Sequence, residues 1–315
     1  MALSSATNTW LTDIDDGYLS GTLLVDLSRA FDTVFHKVLL PELSEIGCTA
    51  NTLSWFGSYL NERLQRVILG SETTDWLEVS RGVPQGSSLS PLLFNIYMRK
   101  LPSTYPSRIT QFTDDITQTE RDTDPLNLIN KLSTGYKATK EFCNSHELQI
   151  NENKTQLIIF KAPGKKLPEG LGMEIDGCVI KPLDSMELLG VTLDRHLNMN
   201  LHIEQVVRKC KGLLGILRRA AAVLPEQLLK LAYTALIRTH LEYCSTLLYP
   251  ASPSELQKLD GIQKLASRII CGAPRDGHSE PLQQLLRLES LKDRRTEHVL
   301  QVVMLILNKR CHPGL

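Results

Sequence analysis

The sequence predicts an α+β fold followed by a separate helical domain. Up to about residue 194, short apolar runs typical of strands alternate with stretches whose apolar residues recur at helical spacing. From Asn200 onward the spacing is almost wholly helical. The charge divides in the same way, with 17 Lys/Arg against 25 Asp/Glu in residues 1–194 and 18 against 10 in residues 195–315. We therefore predict two domains, 1–194 and 195–315, of which the basic one is suited to a polyanion. Chance and solvated helix faces would give the same asymmetry.

The first elements follow from local pattern. A short amphipathic stretch is predicted to end at Gly21, and the apolar run Thr22–Leu27 is typical of a buried strand. A helix is predicted over Ala30–Ile46, bent or broken at Pro41, and a second helix carries Leu53, Phe56, Leu60 and Leu64. Val67–Leu69 and Trp76–Val79 flank a polar turn and predict a hairpin.

The later elements have clearer boundary signals. Ser90-Pro91 offers an N-cap with proline at the first helical position, and Ser252-Pro253-Ser254-Glu255 is a capping box. The remaining predictions are a two-strand segment Ile109–Thr117 centred on Asp114-Asp115, a long helix Pro125–Glu147, and strands at Gln156–Lys161, Met173–Ile175, Val179–Lys181 and Leu188–Leu193.

Composition excludes several classes of protein. With 42% hydrophobic and 22% charged residues, the chain is not disordered along its length. Its seven cysteines, Cys311 among them, include no CxxC pair, which argues against a zinc site or a disulfide framework. We find neither a secretory signal pattern nor an apolar run of the ~20 residues that a membrane span needs. These observations predict an intracellular protein without a membrane partner.

Three carboxylates are candidates for chemistry. Asp26 ends an apolar strand, and Asp114 and Asp115 lie at the predicted hairpin apex. Adjacent side chains of a strand point to opposite faces, so only one of the pair faces Asp26 squarely, although a tight apex lets the other approach. Carboxylates brought together repel, and a pair of Mg²⁺ ions relieves that repulsion while clamping a phosphoryl group. The alternative for Asp114-Asp115 is a solvated turn, as expected for Asp15-Asp16-Gly17.

The words around these acids resemble the conserved blocks of reverse transcriptases, closest to those of non-long-terminal-repeat (LINE-type) retrotransposons. The resemblance covers nearly the whole chain, and the GVPQGSSLSPLLF block is its most specific part. It implies a right-hand polymerase, with an antiparallel palm sheet backed by helices and then a helical thumb and C-terminal region. The matching segments are LLVDLSRAFDTVFHKVLL at 23–40, RGVPQGSSLSPLLFNIYM at 81–98, QFTDDITQT at 111–119, HELQINENKTQLIIF at 146–160, and the thumb-like region at 188–219.

The resemblance also implies roles for particular residues. Asp26, Asp114 and Asp115 would hold two Mg²⁺ ions, or Mn²⁺ in their place, with the Leu27 carbonyl as a further ligand. These residues would catalyse attack of a primer 3′-oxygen on a dNTP, and Lys154 would assist the departing pyrophosphate. The alternative for Lys154 is a solvated surface lysine.

Three further residues would position the incoming nucleotide. Phe31 would reject a 2′-hydroxyl by filling its space, and Gln85 and Gly86 would approach the template and the nucleotide. The alternatives are a core aromatic for Phe31 and a plain loop-to-helix turn for Gln85-Gly86.

The sequence departs from the family pattern at several points. Phe35 stands where an acid is usual, Thr113 replaces an alanine, and Ser90 replaces a common glycine and would cap its helix better. We expect the family's fingers and any endonuclease-like domain to lie outside these residues, and we therefore expect the parent element's missing regions as partners. A truncated, inactive remnant that only binds nucleic acid is therefore a second hypothesis, and an interaction protein without a nucleic-acid role is a third.

Basic residues in the second half predict a nucleic-acid surface. They would bind the RNA template and DNA primer through phosphates, giving salt-dependent affinity without base readout, with Leu213, Leu214, Ile216 and Leu217 as the apolar side. A smaller cluster comprises Lys292, Arg294 and Arg295, and the alternative for both clusters is a solvated face. The main cluster consists of Arg208, Lys209, Lys211, Arg218 and Arg219.

Overall fold

The computed structural model describes residues 2–175, 177–274 and 276–308. Cys311, one of the seven cysteines counted above, lies outside the described residues. The prediction that helices and sheet are mixed is confirmed. The α-helices are α1 Ala2–Asp15, α2 Ala30–Thr33, α3 His36–Glu45, α4 Ala50–Leu60, α5 Ser90–Met98, α6 Pro125–Ser145, α7 Asn200–Ala220, α8 Glu226–Ala232, α9 Thr239–Glu242, α10 Pro253–Ile270, α11 Ser279–Leu285 and α12 Leu291–Leu307. The strands are β1 Leu19–Val25, β2 Leu27–Ser28, β3 Arg63–Gln65, β4 Ile68–Leu69, β5 Glu72–Thr73, β6 Leu77–Val79, β7 Arg108–Phe112, β8 Asp115–Asp122, β9 Gln149–Ile150, β10 Gln156–Phe160, β11 Met173–Ile175, β12 Cys178–Ile180, β13 Pro182–Leu183, β14 Ser185–Leu188 and β15 Val191–Asp194.

The chain forms two compact units. One runs from Asp16 to Leu183, and the other joins the residues up to Asp15 to those from Asp184 onward. The β14–β15 hairpin therefore belongs to the second unit together with α1. The sequence predicts a different kind of division, in which residues 1–194 form a palm and residues 195–315 form a thumb and C-terminal region. That assignment stays a prediction.

A five-stranded sheet organises the first unit. Its order is β13-β10-β1-β8-β7, with antiparallel neighbours except for the parallel pair β10 and β13. β1 lies at the centre, and six of its seven residues are buried, because neighbours and packing cover both of its faces. This double burial explains why the end of the strand, Leu23–Val25, is continuously apolar in the sequence rather than alternating with polar residues.

Gly21 lies inside β1, so the prediction that a helical stretch ends there is wrong. A Cβ at Gly21 would meet Leu132 Cδ1 at 2.7 Å and Leu128 Cδ2 at 3.1 Å, both on α6. The glycine is needed because the helix packs closely over the strand, and that contact is invisible in the local sequence.

The helix predicted over Ala30–Ile46 is interrupted at Val34 and Phe35, not at Pro41. The Phe31 carbonyl accepts from Val83 N–H and the Val34 carbonyl from Gly82 N–H, both at 2.8 Å. These carbonyls are therefore used by a distant loop instead of by the next helical turn. Pro41 lies within α3, which continues past it to Glu45.

Three smaller predictions also need correction. The segment before α5 forms two nested ladders, in which β4 pairs with β5 and β3 with β6, so the turn lies at Gly70-Ser71. Leu188–Leu193 is not one strand, because the chain reverses between Leu188 and Val191. Ser90 is the first residue of α5 rather than its N-cap, and its hydroxyl donates to the Pro84 carbonyl.

The second unit is mainly helical. α7 packs against α10, and their buried faces include Cys210, Leu214, Leu259 and Ile262. The capping box is confirmed in its first half, since Ser252 Oγ accepts from Glu255 N–H and begins α10. Within the described ranges, no helix combines the length and apolar character that crossing a bilayer requires.

Candidate active site

Strand pairing brings Asp26 beside Asp115. The β1–β8 register ends with Val25 opposite Ile116, so Asp26 and Asp115 are the next residues along each chain, close enough for the charge of Asp26 to act on Asp115. β8 also pairs with β7, with Phe112 opposite Asp115, so Thr113 and Asp114 form a two-residue turn. Thr113 has φ of 59°, the positive value that such tight hairpin turns require at their first central residue. The apex therefore falls one residue earlier than the predicted Asp114-Asp115 centre.

The charges of Asp26 and Asp114 both act on the carboxylate of Asp115. Its pKa is raised, first by burial and then by the negative charges of Asp114 and Asp26. The Asp26 side chain is 28% exposed, so it too is partly withdrawn from water. The fold thus gathers three acidic groups at one end of β1 and β8.

Lys154 lies at the same place. Its Nζ is 3.4 Å from Asp26 Oδ2, and the side chain is 67% exposed. The residue ends a 3-10 turn, Glu152–Lys154, that follows β9. The backbone of this connection is fixed to the site, because Asn151 N–H donates to the Asp26 carbonyl at 2.8 Å.

Phe31 and the loop before α5 are held together by the backbone. Besides the bonds from Gly82 and Val83, a Cβ at Gly82 would meet the Asp32 backbone within 2.9 Å, and Gly82 has φ of +83°. Only glycine fits this crossing. The Phe31 ring, half-buried, stacks on Phe94 with ring centroids 5.0 Å apart.

Asp32 is a site residue that the sequence analysis missed. Gln85 Nε2 donates to Asp32 Oδ1 at 2.8 Å, while both side chains are exposed. Gly86, next to it, is exposed and has φ of +83°. Asp32 directly follows Phe31 within the VDLSRAFD block, which was the signal available in the sequence.

The predicted basic cluster lies on α7, in the second unit. All five members are exposed, and none makes an ion pair with any residue that the structure describes. At 3.6 residues per turn, Arg208, Lys211, Arg218 and Arg219 share one face.

The apolar side of α7 differs from the prediction at one residue. Ile216, predicted on that side, is 54% exposed, so the prediction is wrong for this residue. The buried side is instead formed by His202, Ile203, Cys210, Leu214 and Leu217.

Comparison with known proteins identifies the family of this chain. The family model described as reverse transcriptase (RNA-dependent DNA polymerase) matches residues 9–193, a span that contains all three carboxylates and Lys154. The chain belongs to the reverse transcriptase family. The prediction of a LINE-type reverse transcriptase is confirmed by relatives from retrotransposons.

Two of these relatives come from Drosophila melanogaster. The RNA-directed DNA polymerase from mobile element jockey is 25% identical over 310 residues, covering 94% of this reverse transcriptase chain and 33% of the relative. The probable RNA-directed DNA polymerase from transposon X-element is 24% identical, covering 91% and 32%. The chain spans about a third of the length of these relatives. Telomerase from Candida albicans, solved in complex with the TWJ fragment of telomeric RNA, is similar with a TM-score of 0.44 and 12% identity, over 90% of this chain and 52% of that one.

Reverse transcriptases depend on divalent metal ions. Among the described residues, no three His, Cys, Asp or Glu side chains are arranged as a metal-binding group. The donor chemistry nevertheless fits, because carboxylate oxygens are what hard cations such as Mg²⁺ prefer. Burial and, after it, the negative charges of Asp114 and Asp26 raise the pKa of Asp115, and a cation bound here would offset the part due to charge.

Proposed function

We propose that this chain performs RNA-directed DNA synthesis, transferring a nucleotide from a dNTP to a primer 3′-hydroxyl. The observation that carries the proposal is the meeting of Asp26 and Asp115 across β1 and β8, with Lys154 on the same carboxylate. The five-stranded sheet would be the palm and the helices from residue 195 onward the thumb. The family match over residues 9–193 supports this assignment.

Asp26, Asp114 and Asp115 would hold two Mg²⁺ ions, or Mn²⁺ in their place. Such ions neutralise charge on the phosphates and lower the pKa of the attacking hydroxyl. The Leu27 carbonyl is suited as a further ligand. Since Asn151 N–H bonds to the Asp26 carbonyl, Leu27 and Ile150 form a non-hydrogen-bonded pair, in which the Leu27 carbonyl points away from β9.

The remaining residues would bind and orient the nucleotide. Phe31, fixed by its stacking on Phe94, would occupy the space of a 2′-hydroxyl. Gln85, oriented by Asp32, and Gly86, which has no side chain, would let the loop approach the nucleotide and its template base. Lys154 would either protonate the departing pyrophosphate or neutralise part of its negative charge.

The RNA template and DNA primer would be held by phosphate contacts from Arg208, Lys209, Lys211, Arg218 and Arg219. Their exposure without ion pairs to described residues supports this role. Contacts of this kind release counterions and tolerate any base sequence. The regions by which the relatives exceed this chain in length would act with it as fingers and endonuclease.

Primer extension on an RNA template with dNTPs and Mg²⁺ tests the proposal. We expect synthesis by the wild-type chain and its loss in Asp114→Asn and Asp26→Asn, with Asp16→Asn, from the other acidic doublet, as the matched control. Extension that survives Asp114→Asn would refute the site. Binding of RNA without any extension would instead favour the remnant that only binds nucleic acid.

A further inference from the structure

The second unit contains a pocket whose lining residues have no role in the proposed function described above. It has a volume of about 610 Å³ and lies between α10, α12 and the 3-10 turn Ser245–Leu248. Pockets of roughly 300–1,000 Å³ are the usual size for small-molecule groups. Its walls combine apolar side chains with two basic ones, namely Leu248, Pro253, Leu256, Val299, Lys292 and Arg295.

The charge of the pocket is positive. Asp260 is its one acidic lining residue, and Arg295 Nη2 pairs with it at 3.1 Å. Arg295 Nη1 is buried and has no hydrogen-bond partner within the described part of the chain. Lys292 is exposed and forms no ion pair with a described residue, so one cation is left uncompensated.

Arg294, the third member of the predicted basic cluster, is paired with acidic residues and does not line the pocket. Arg294 is held by Glu242 and Glu289, and its pKa is raised, chiefly by the hydrogen bond to Glu242. The cluster is therefore divided by the fold. Arg294 is a structural cation, whereas Lys292 and Arg295 face the pocket from successive turns of α12.

Tyr249 supplies the feature that selects a ligand class. It lines the pocket and is 91% exposed, which is unusual for an aromatic residue beside apolar walls. An exposed ring beside a cation is the arrangement by which proteins bind single-stranded nucleic acid, since bases stack on aromatic faces and phosphates bind cations. A phosphodiester carries one negative charge, which matches the single uncompensated cation.

We propose that this pocket binds one nucleotide of single-stranded RNA or DNA, with the base stacked on Tyr249 and the phosphodiester at Lys292 and Arg295. It is a second nucleic-acid contact, separate from the α7 cluster, and it rests on the proposed function. The apolar wall of Leu256 and Val299 provides a surface for the base or sugar. An acidic peptide would find the same cations but would leave the exposed ring unused.

Fluorescence anisotropy of a labelled single-stranded oligouridylate, titrated with the full chain across salt concentrations, tests the pocket. We expect Tyr249→Ala to weaken binding by roughly 5- to 150-fold, because alanine removes the stacking surface. Tyr249→Phe keeps the ring and should bind as the wild type does. Lys292→Gln should reduce the slope of log K against log salt by about 0.7, while Lys292→Arg leaves it unchanged.

Cross-linking locates the contact directly. An oligonucleotide carrying 4-thiouridine should attach to the peptide that contains Tyr249, identified by mass spectrometry. Because the Tyr249 ring is almost wholly exposed, its loss should leave the thermal unfolding curve in place. Affinity unchanged by Tyr249→Ala, or an acidic peptide that binds the pocket without displacing the oligonucleotide, would overturn the proposal.

The two proposals fail in different ways. If the wild-type chain extends primers and Tyr249→Ala binds RNA normally, the pocket assignment is wrong and the polymerase function stands. If Tyr249→Ala weakens RNA binding but no chain extends a primer, the pocket stands and the polymerase function is wrong. A wild-type chain that binds no oligonucleotide at low salt refutes the pocket, and extension assays then decide the other proposal alone.

Discussion

Lys154 Nζ lies 3.4 Å from Asp26 Oδ2, so a lysine occupies the carboxylate that the proposed mechanism assigns to metal ions. The pair is largely exposed on the lysine side, and ion pairs of this kind contribute about 0.2–1 kcal/mol. The cation would therefore compensate Asp26 before metal binds, and a divalent ion could displace it readily. Lys154 would then be free to meet the leaving pyrophosphate.

Replacing Lys154 by Gln separates these two roles. Metal affinity should rise by about 1.4- to 5-fold, because a competing cation is removed, while kcat should fall by about 100-fold or more as the proton or charge donor is lost. Isothermal titration with Mn²⁺ and single-turnover extension measure the two effects. Lys140→Gln, which removes the nearby ion pair with Glu152 at 3.0 Å, should change neither. A parallel fall in metal affinity and kcat would contradict this division.

Asp115→Asn should stabilise the metal-free protein while abolishing activity. The pKa of Asp115 is raised above its ordinary 3.8, so the folded state holds its proton more tightly than the unfolded state. The free energy of unfolding therefore decreases as pH rises from the ordinary pKa of the unfolded state to the raised pKa of the folded state. Asparagine does not titrate, so the variant avoids this decrease in stability. We expect a higher Tm for the variant at pH 7, no difference near pH 3, and an activity loss above about 100-fold.

Asp122, at the other end of β8, is the matched control for that experiment. Its pKa is lowered, chiefly by the hydrogen bond from Lys131, so its stabilisation is present above its ordinary pKa and is lost as pH falls. Asp122→Asn should thus lower the Tm at pH 7. Added Mg²⁺ should raise the Tm of the wild type and of Asp122→Asn, but not that of Asp115→Asn. Equal stabilisation of all three proteins would remove Asp115 from the metal site.

Thr113→Gly should stabilise the hairpin that carries Asp114. Thr113 is a β-branched residue at φ of 59°, a region that disfavours side chains by about 1–2 kcal/mol. Glycine relieves this strain but makes the unfolded chain more flexible, so we expect a net gain of about 1 kcal/mol in the free energy of unfolding. Urea denaturation measures it. Thr110→Gly, within β7, should destabilise by about 0.5–1 kcal/mol, and the same sign for both would show that the turn is unstrained.

Asp32→Ala should raise the KM for dNTP by roughly tenfold with little change in kcat. A hydrogen bond to a charged partner is worth about 1.5–3 kcal/mol, with exposure favouring the lower end, and here it orients Gln85. Asp32→Asn keeps an acceptor and should retain most of the affinity. Steady-state kinetics of Gln85→Ala and of the double variant complete a cycle. If the two substitutions are additive, Asp32 does not act through Gln85.

The sequence by itself determined the family and the identity of the acidic residues. The VDLSRAFD and GVPQGSSLSPLLF blocks are local words that can be recognised without a structure. It also determined the elements whose signals are local, such as the long helix α6 and the cap at Ser252. Propensity and capping act within a few residues, so they are legible in order along the chain.

Only the tertiary structure decided which residues of these sequence blocks lie next to one another. The break at Val34-Phe35 depends on Gly82 and Val83, the placing of Gly21 depends on α6, and the partner of Gln85 is Asp32. Each is a contact between residues far apart in sequence, which no local propensity encodes. The same is true of Lys154 beside Asp26, because the Asn151 N–H bond to the Asp26 carbonyl holds the turn that carries the lysine, and these residues are more than 120 positions apart in the sequence.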